Sequence, residues 1–564
     1  MSPRIYRSPY SDLLLKDIDL TSFVLSNPSN VPPDKPIYID AISGEFRTFN
    51  DVLRRTRALA HGLRGLGVKP NDVVAFFSPN TIDYAIICHA IIGCGATVSP
   101  NSAALTAMEL RANLEICEAK YLIVHSSLLE TAQKAVTGTS VRKIIQANGQ
   151  RSVDGTPAAQ TLATTCFPSE LTTTPPSEVD TRIAFICFSS GTSGRAKGVI
   201  STHKNMTANM QQWQKHVFEG TDAGQTIIAF LPFSHIYGLN LYTCSSLFRG
   251  TTVVVMPRFD LDVYLGCIQR YRPEDLALVP PVALLLAKDL RVPRYDLRSV
   301  KRILSAAAPL SAELARSVES RFKEAYGTTV YCYQAWGLTE TSPLATAVPV
   351  ARIMDKRGTV GCIAPNMEFR FVDPDTMLDV DGVDGHGGTT KPAEIWCHGP
   401  NVTRGYINDD DATKNAFVVD HEGRRWFRTG DIGTIDQEGF IRIRDRIKEM
   451  IKYKGLQVIP SELEGKLLDH PDVEDAGVIG VWVEEQATEL PLAFVVVRPE
   501  ARRSKGERAV IQDVHRWLNE TVANHKRLRG GIKLVDSIPR NPSGKILRRK
   551  LRDLLKGKRG GAKL

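Results

Sequence analysis

At 564 residues the chain is longer than a single hydrophobic core supports, so it divides into roughly two to four domains. Hydrophobic residues make up 43% and charged residues 24%, a globular balance that excludes a disordered or fibrous chain. Of the formal net charge of +9, a net of +8 sits in the last twenty residues, Lys545 to Leu564, and this leaves a near-neutral body that argues against binding to nucleic acid.

The opening segment, Met1-Ser-Pro-Arg-Ile-Tyr, has no apolar signal core. The longest apolar stretch, Tyr84 to Val98, contains His89 and is too short to span a bilayer. Ten cysteines without a CxxC pair read as buried reduced thiols, not as disulfides or zinc ligands. A soluble intracellular protein is the expectation.

In chain order, Ile37-Tyr-Ile-Asp and Glu45-Phe-Arg-Thr-Phe read as a hairpin around Ser43-Gly44. Asn50 is placed to cap a helix running to Leu66, with Gly67 just past its end. Asp72-Val-Val-Ala-Phe-Phe reads as a strand and Thr81 to Ile92 as a buried helix. Gln150 to Val179, rich in Thr, Ser and Pro, predicts a surface loop. Apolar strands follow at Ile183-Ala-Phe-Ile-Cys-Phe, Thr226-Ile-Ile-Ala-Phe, Thr252-Val-Val-Val-Met and Thr329-Val-Tyr-Cys-Tyr. Near-continuous apolar runs separated by helices predict an α/β fold of mainly parallel, buried sheets. Beyond Arg446 the elements shorten. Ser461-Glu-Leu-Glu464 fits a capping box, Gly477-Val-Ile-Gly-Val and Ala493-Phe-Val-Val-Val read as strands, and Val510 to Val522 as a helix. The expected division is a large domain over residues 1–446 and a small α+β domain over 447–564.

Five segments carry chemistry. Phe188-Ser-Ser-Gly-Thr-Ser-Gly-Arg-Ala-Lys-Gly198 follows an apolar strand, and its N–H groups, hydroxyls and Lys197 suit an anion. It is not a Walker A loop, because Ala196 stands where the second glycine belongs. Gln334-Ala-Trp-Gly-Leu-Thr-Glu-Thr341 combines an aromatic ring, a hydroxyl and a carboxylate suited to a base, a phosphate and Mg²⁺. In Trp426-Phe-Arg-Thr-Gly-Asp-Ile-Gly433 the Asp431 carboxylate can accept both hydroxyls of a ribose. Asp445-Arg-Ile-Lys-Glu-Met-Ile-Lys-Tyr-Lys-Gly455 is the fourth segment. In the fifth, the turn Asn541-Pro-Ser-Gly-Lys545 presents a lysine just before a basic helix. Singly, the first also reads as a surface turn, the second as a core residue and a solvated charge, the third as a Gly-Asp turn and the fifth as surface charge.

In this order the segments resemble the adenylate-forming superfamily, over about Lys35 to Leu555. Phe233-Ser-His-Ile-Tyr-Gly238, Val279-Pro-Pro281 and Lys448-Glu-Met-Ile-Lys-Tyr-Lys-Gly455 are most similar to its 4-coumarate–CoA ligase and luciferase branch. The resemblance implies a large N-terminal domain with a small β-barrel-like part and a mobile C-terminal domain. It implies an acyl-CoA ligase that uses ATP, Mg²⁺ and coenzyme A: a carboxylic acid and ATP give an acyl-adenylate and pyrophosphate, then a CoA thioester and AMP. Luciferase-like oxidation of the adenylate and delivery to a carrier protein are the alternatives. The second is disfavoured, because Phe233-Ser-His-Ile lacks an Asp to meet an ammonium. A non-catalytic nucleotide binder would have no need of both Glu340 and Lys545.

Residue by residue, the resemblance assigns Ser189, Ser190, Gly191, Thr192, Ser193 and Lys197 to the β- and γ-phosphates. Gln334, Ala335 and Trp336 lie along the adenine, Thr339 touches the α-phosphate, and Glu340 holds the metal. Asp431 and Arg446 grip the ribose, Lys448 is the hinge, and Lys545 serves adenylation. Lys452, Lys454, Gly455 and Gln457 border the CoA tunnel, with Arg258 near the CoA phosphates. His235, also counted as catalytic, lines the acyl pocket with Tyr237, Leu241, Ala306, Ala307 and Ala308. Two departures stand out: Ala196 where the family usually has Pro, and Ala306 where Gly is common, which would narrow the pocket. The terminal Ala562-Lys563-Leu564 resembles a peroxisomal address, implying an import receptor as partner and the peroxisome as location.

Overall fold

The computed structural model of the chain describes residues 4–151, 154–190, 196–217, 224–380, 388–446, 449–453, 456–486, 488–541 and 544–556. Its N-terminal part is built on two largely parallel sheets. In the six-stranded sheet the spatial order is Lys143–Gln146, Tyr121–Val124, Val73–Ser78, Thr97–Ser102, Ile183–Ser190 and Ala196–Thr202. The first five run parallel and the last doubles back antiparallel, pairing Ser189 with Lys197. Helices Phe49–Gly65 and Tyr84–Ile92 cover it, and the second is buried along its whole length, as a parallel sheet between helices requires. A four-stranded sheet sets Thr226–Ala229, Thr252–Val255, Pro36–Asp40 and Phe46–Thr48 side by side. The predicted hairpin is its edge, with Gly44 at φ +75° in the turn.

The third sheet changes character along its width. Asp275–Leu278, Arg302–Ser305 and Tyr331–Gly337 are parallel, and Tyr331–Gly337 then pairs antiparallel with Leu344–Ala347. From there the sheet continues antiparallel through Gly361–Ile363, Phe440–Arg446, Arg425–Ile435, Ala393–His398 and Glu368–Val372. Phe369, Ile395, Phe427 and Ile441 form a separate core under this antiparallel portion. The strand carrying Gln334, Ala335 and Trp336 is therefore the seam where the strand order reverses direction, the kind of place where open α/β sheets bind ligands.

Beyond Arg446, the hairpin Ile451–Tyr453 with Leu456–Val458 leads to helix Pro460–Leu468. The sheet Val473–Val483, Thr488–Val497 and Gly531–Leu534 and helix Glu507–Thr521 follow. Leu463, Leu467, Val478, Val495, Val510 and Val514 pack as their own core. The described cysteines are all free thiols and, apart from half-buried Cys166, buried. Among the described residues no helix is long and apolar enough to cross a membrane.

Three local expectations change. Thr48, not Asn50, caps helix Phe49–Gly65, through a capping box with Asp51. The segment from Gln150 to Val179 contains helix Ala159–Thr165, whose Leu162 packs against Gly62. Its buried Ala159, Leu162 and Ala163 share one face, a periodicity that the surrounding Thr and Pro obscured. Ser461 and Glu464 make no capping box. Ser461 bonds Arg444 O and Asp445, and Glu464 receives Arg548, so tertiary partners have taken both side chains.

Candidate active site

Lys197 begins the return strand of the phosphate-suited segment, opposite Ser189 on the outgoing strand. Gly191, Thr192 and Ser193 lie outside the described residues, and of Ser190 only the strand position is described. The Lys197 Nζ stands 4.7 Å over the ring of Tyr406, whose hydroxyl donates to Glu340 Oε1 at 3.0 Å. Glu340 is only 9% exposed, in the short turn Thr339–Thr341 that follows the seam strand. Burial raises its carboxyl above the ordinary range, against the lowering effect of its own N–H, Tyr406 and Arg446.

In the strand Arg425–Ile435 of the same sheet, Gly430 at φ +69° turns the backbone so that Asp431 faces inward, 3% exposed. Trp336 Nε1 donates to Asp431 Oδ2 at 2.9 Å, and Arg446 Nε lies 2.8 Å from Oδ1. Asp431 and Arg446 are register partners on adjacent strands, so the pair is set by strand pairing. Arg446 holds its proton more firmly than a free guanidinium because of Asp431. Trp336 is also edge-on to Phe369, with centroids 6.0 Å apart. Gln334 Oε1 accepts Leu310 N at 2.8 Å, fixing the loop after Ser305. A cleft lined by Gln334 and Tyr333 contains none of Lys197, Glu340, Asp431 or Lys545, and so lies apart from this cluster.

Lys545 reaches this cluster from the far end of the chain. Asn541 closes its turn, with Oδ1 accepting Lys545 N at 2.8 Å. Gly544 sits against Val279 and Pro281; a Cβ there would lie 3.1 Å from Pro281 Cδ. The Lys545 amine is 3.7 Å from Glu449 Oε1. Burial, and then repulsion from Arg446, hold its pKa below that of an ordinary lysine, against the pull of Glu449 and Asp431. Glu449 also bonds Arg548, which is bidentate to Glu464. Burial works against the Glu449 charge, yet Arg548, Lys545 and Arg446 together keep its carboxyl below the ordinary range.

Of the residues expected to line the acyl pocket, Tyr237 stands on the turn Ile236–Gly238, which His235 precedes, and Leu241 on the π-helical turn Leu239–Ser245. Asn240 Nδ2 donates to Ser342 O at 2.7 Å, tying that turn to the segment after Glu340. Tyr237 is buried and stacks on Trp213, and Leu241 is buried beside it in sequence. His235 accepts Tyr237 N, and burial pushes its imidazole down to about 4. Of the three alanines, Ala307 and not Ala306 takes the left-handed conformation, at φ +68°, so the strained position of Ser305–Pro309 is one residue beyond the flagged one.

Of the remaining predicted residues, Arg258 and Lys452 stand apart from this cluster. Arg258 is exposed ahead of helix Leu261–Tyr271. Lys452 is exposed on its hairpin, paired in register with Gln457. Lys448, Lys454, Gly455 and Ala562 to Leu564 lie outside the described residues. Sequence reading gave no role to Tyr406, Glu449 or Arg548. Tyr406 and Arg548 are single residues without a spacing pattern, Glu449 stands without a role inside the fourth segment, and only the fold reveals their neighbours. His470, Asp472 and Asp513 also gather, but Lys505 Nζ is 2.6 Å from Asp472, so a side-chain cation already fills that cluster.

The buried Glu340 carboxylate, beside the Tyr406 hydroxyl, fits Mg²⁺, which takes one or two protein carboxylates and completes its shell with phosphate and water. Cation, metal-suited carboxylate, ribose-suited acid and second lysine converge from four distant segments. The chain as a whole is similar to known proteins. The AMP-binding enzyme profile matches residues 26–407, and the AMP-binding enzyme C-terminal domain profile matches residues 462–545. "Probable CoA ligase CCL5" of Humulus lupulus is 34% identical over 546 residues, covering 95% of this chain and 92% of that protein. "Peroxisomal OPC-8:0-CoA ligase 1" of Arabidopsis thaliana is 33% identical, covering 97% and 94%. The solved structure of ATP-bound MatB from Rhodopseudomonas palustris superimposes with a TM-score of 0.80 at 25% identity, covering 95% of this chain and 99% of that one. With both profiles matched in order and relatives aligned from end to end, the chain belongs to the AMP-binding enzyme family.

Proposed function

We propose that the chain is an AMP-forming acid–CoA ligase, converting a carboxylic acid and ATP to an acyl-adenylate and pyrophosphate, then to a CoA thioester and AMP. The observation that carries this reading is Lys545, brought from the C-terminal part to the edge of the Asp431–Arg446 pair. A carboxylate attacking the α-phosphorus brings two anions together. Their repulsion at 4 Å is about 4 kcal/mol at an effective dielectric of 20. The Lys545 ammonium offsets it and holds the carboxylate oxygen in line. Lys197 and the segment from Ser189 take the outer phosphates, Asp431 and Arg446 the ribose, and Trp336 and Gln334 the base. Thr339 would touch the α-phosphate and Glu340 would hold Mg²⁺, which when bound adds further charge neutralisation at the phosphates. The uncharged wall of Tyr237, Leu241 and neutral His235 favours an acid with an uncharged tail. Thioester formation needs a different set of neighbours, so residues 447–564 turn about Lys448 to bring the Lys452–Gln457 hairpin inward, with Arg258 toward the CoA phosphates. The Ala562-Lys563-Leu564 tail would serve as an import address, a reading supported by the name of the Arabidopsis thaliana relative, a peroxisomal CoA ligase; a fluorescent fusion lacking it should lose punctate localisation.

The test separates the half-reactions. Lys545→Ala should lower acid-dependent ATP–pyrophosphate exchange by about 10²–10³-fold. Thioester formation from preformed acyl-adenylate should stay within a few-fold of the parent. Equal losses in both steps would defeat the assignment. A carboxylic-acid panel read by pyrophosphate release then identifies the acid, and light or oxygen uptake without CoA would indicate the oxidative alternative instead.

A further inference from the structure

We infer that Tyr406 is a positioning residue that ties the phosphate-loop lysine to the metal-suited carboxylate; this rests on the ATP-site reading above. Its ring lies under Lys197 Nζ at 4.7 Å and its hydroxyl donates to Glu340 Oε1 at 3.0 Å. The backbone around it is tied just as directly. Ile200 N donates to Gly405 O at 3.0 Å and Ile407 N to Gly198 O at 2.8 Å, so the residues around Tyr406 form a strap along the return strand of the phosphate segment. Thr403 N donates to Glu340 O at 2.8 Å, and Thr403 Oγ1 to Ile200 O at 2.5 Å. The fit leaves no slack: a Cβ on Gly198 would come within 2.6 Å of Ile407 Cγ2.

Two groups that must act on one polyphosphate are thus held by one phenol. A cation over a ring face keeps freedom to slide, whereas a carboxylate with one oxygen bonded is fixed in rotation. Tyr406 accordingly sets the direction of Glu340 firmly and that of Lys197 loosely. Removing the hydroxyl frees the carboxylate and leaves the ring under the lysine. Removing the ring releases both.

The test is nucleotide binding with and without metal, followed by Trp fluorescence, so that no turnover is needed. Tyr406→Phe should weaken MgATP binding about 5- to 10-fold while ATP in EDTA binds within 2-fold of the parent. Tyr406→Leu should weaken both. If Tyr406→Phe binds MgATP as the parent does, or loses MgATP and metal-free ATP equally, the inference is overturned. A thermal midpoint for Tyr406→Phe within a few degrees of the parent identifies any binding change as positional. The ligase reading fails separately: a parent that binds MgATP but supports no acid-dependent exchange defeats that reading and leaves the role of Tyr406 standing.

Discussion

In the proposed adenylation step the Lys545 amine must carry its proton to oppose two converging anions, yet it is buried beside Arg446, and both effects favour loss of that proton. Its pKa therefore lies below the ordinary lysine range, and activity that depends on the ammonium is lost as pH rises through that lowered value. The adenylation half-reaction should show an alkaline limb below the titration of a free lysine, and thioester formation from preformed adenylate should not. Pyrophosphate exchange across a pH series measures it; the same limb in both half-reactions would remove Lys545 as its source. His235 behaves differently. With its pKa near 4, it is neutral throughout that series and contributes no limb of its own. Trp336 could be recognised from its motif as an aromatic beside a nucleotide, but its indole N–H bond to Asp431 could not, since 95 residues separate the two.

Most strands and helices were legible because their apolar residues are continuous or regularly spaced, and burial follows that spacing. Legibility failed where polar residues find distant partners. Ser461 and Glu464 have the spacing of a capping box, yet Arg548 and Asp445 claim them, since a buried charge left unpaired costs more than an uncapped helix end. Helix Ala159–Thr165 was hidden by its composition. Leu162→Ala in that helix should lower stability by about 2–4 kcal/mol, because the side chain is buried against Gly62. A urea midpoint measures this, and a loss below about 0.5 kcal/mol would match an exposed loop instead.

Across the whole molecule, Lys545 is inward and docked through Gly544 on Pro281 while Lys452 is exposed. That is the arrangement the proposed adenylation step calls for. The proposed turn about Lys448 needs free rotation of its φ, so Lys448→Pro should restrain it. Pyrophosphate exchange should remain within about tenfold of the parent while overall thioester formation falls by 10²-fold or more, roughly 2.7 kcal/mol. Rapid-quench measurement of each step checks this, and an undiminished thioester rate would place the pivot elsewhere.

By itself, the sequence determined the α/β class, the order of the chemical segments and the family, because local spacing and residue type specify elements and loops directly. Only the tertiary structure decided which charges meet: Tyr406 between Lys197 and Glu340, Trp336 on Asp431, Glu449 between Lys545 and Arg548. Such pairings follow from strand order and packing across tens to hundreds of residues, and no local pattern encodes them.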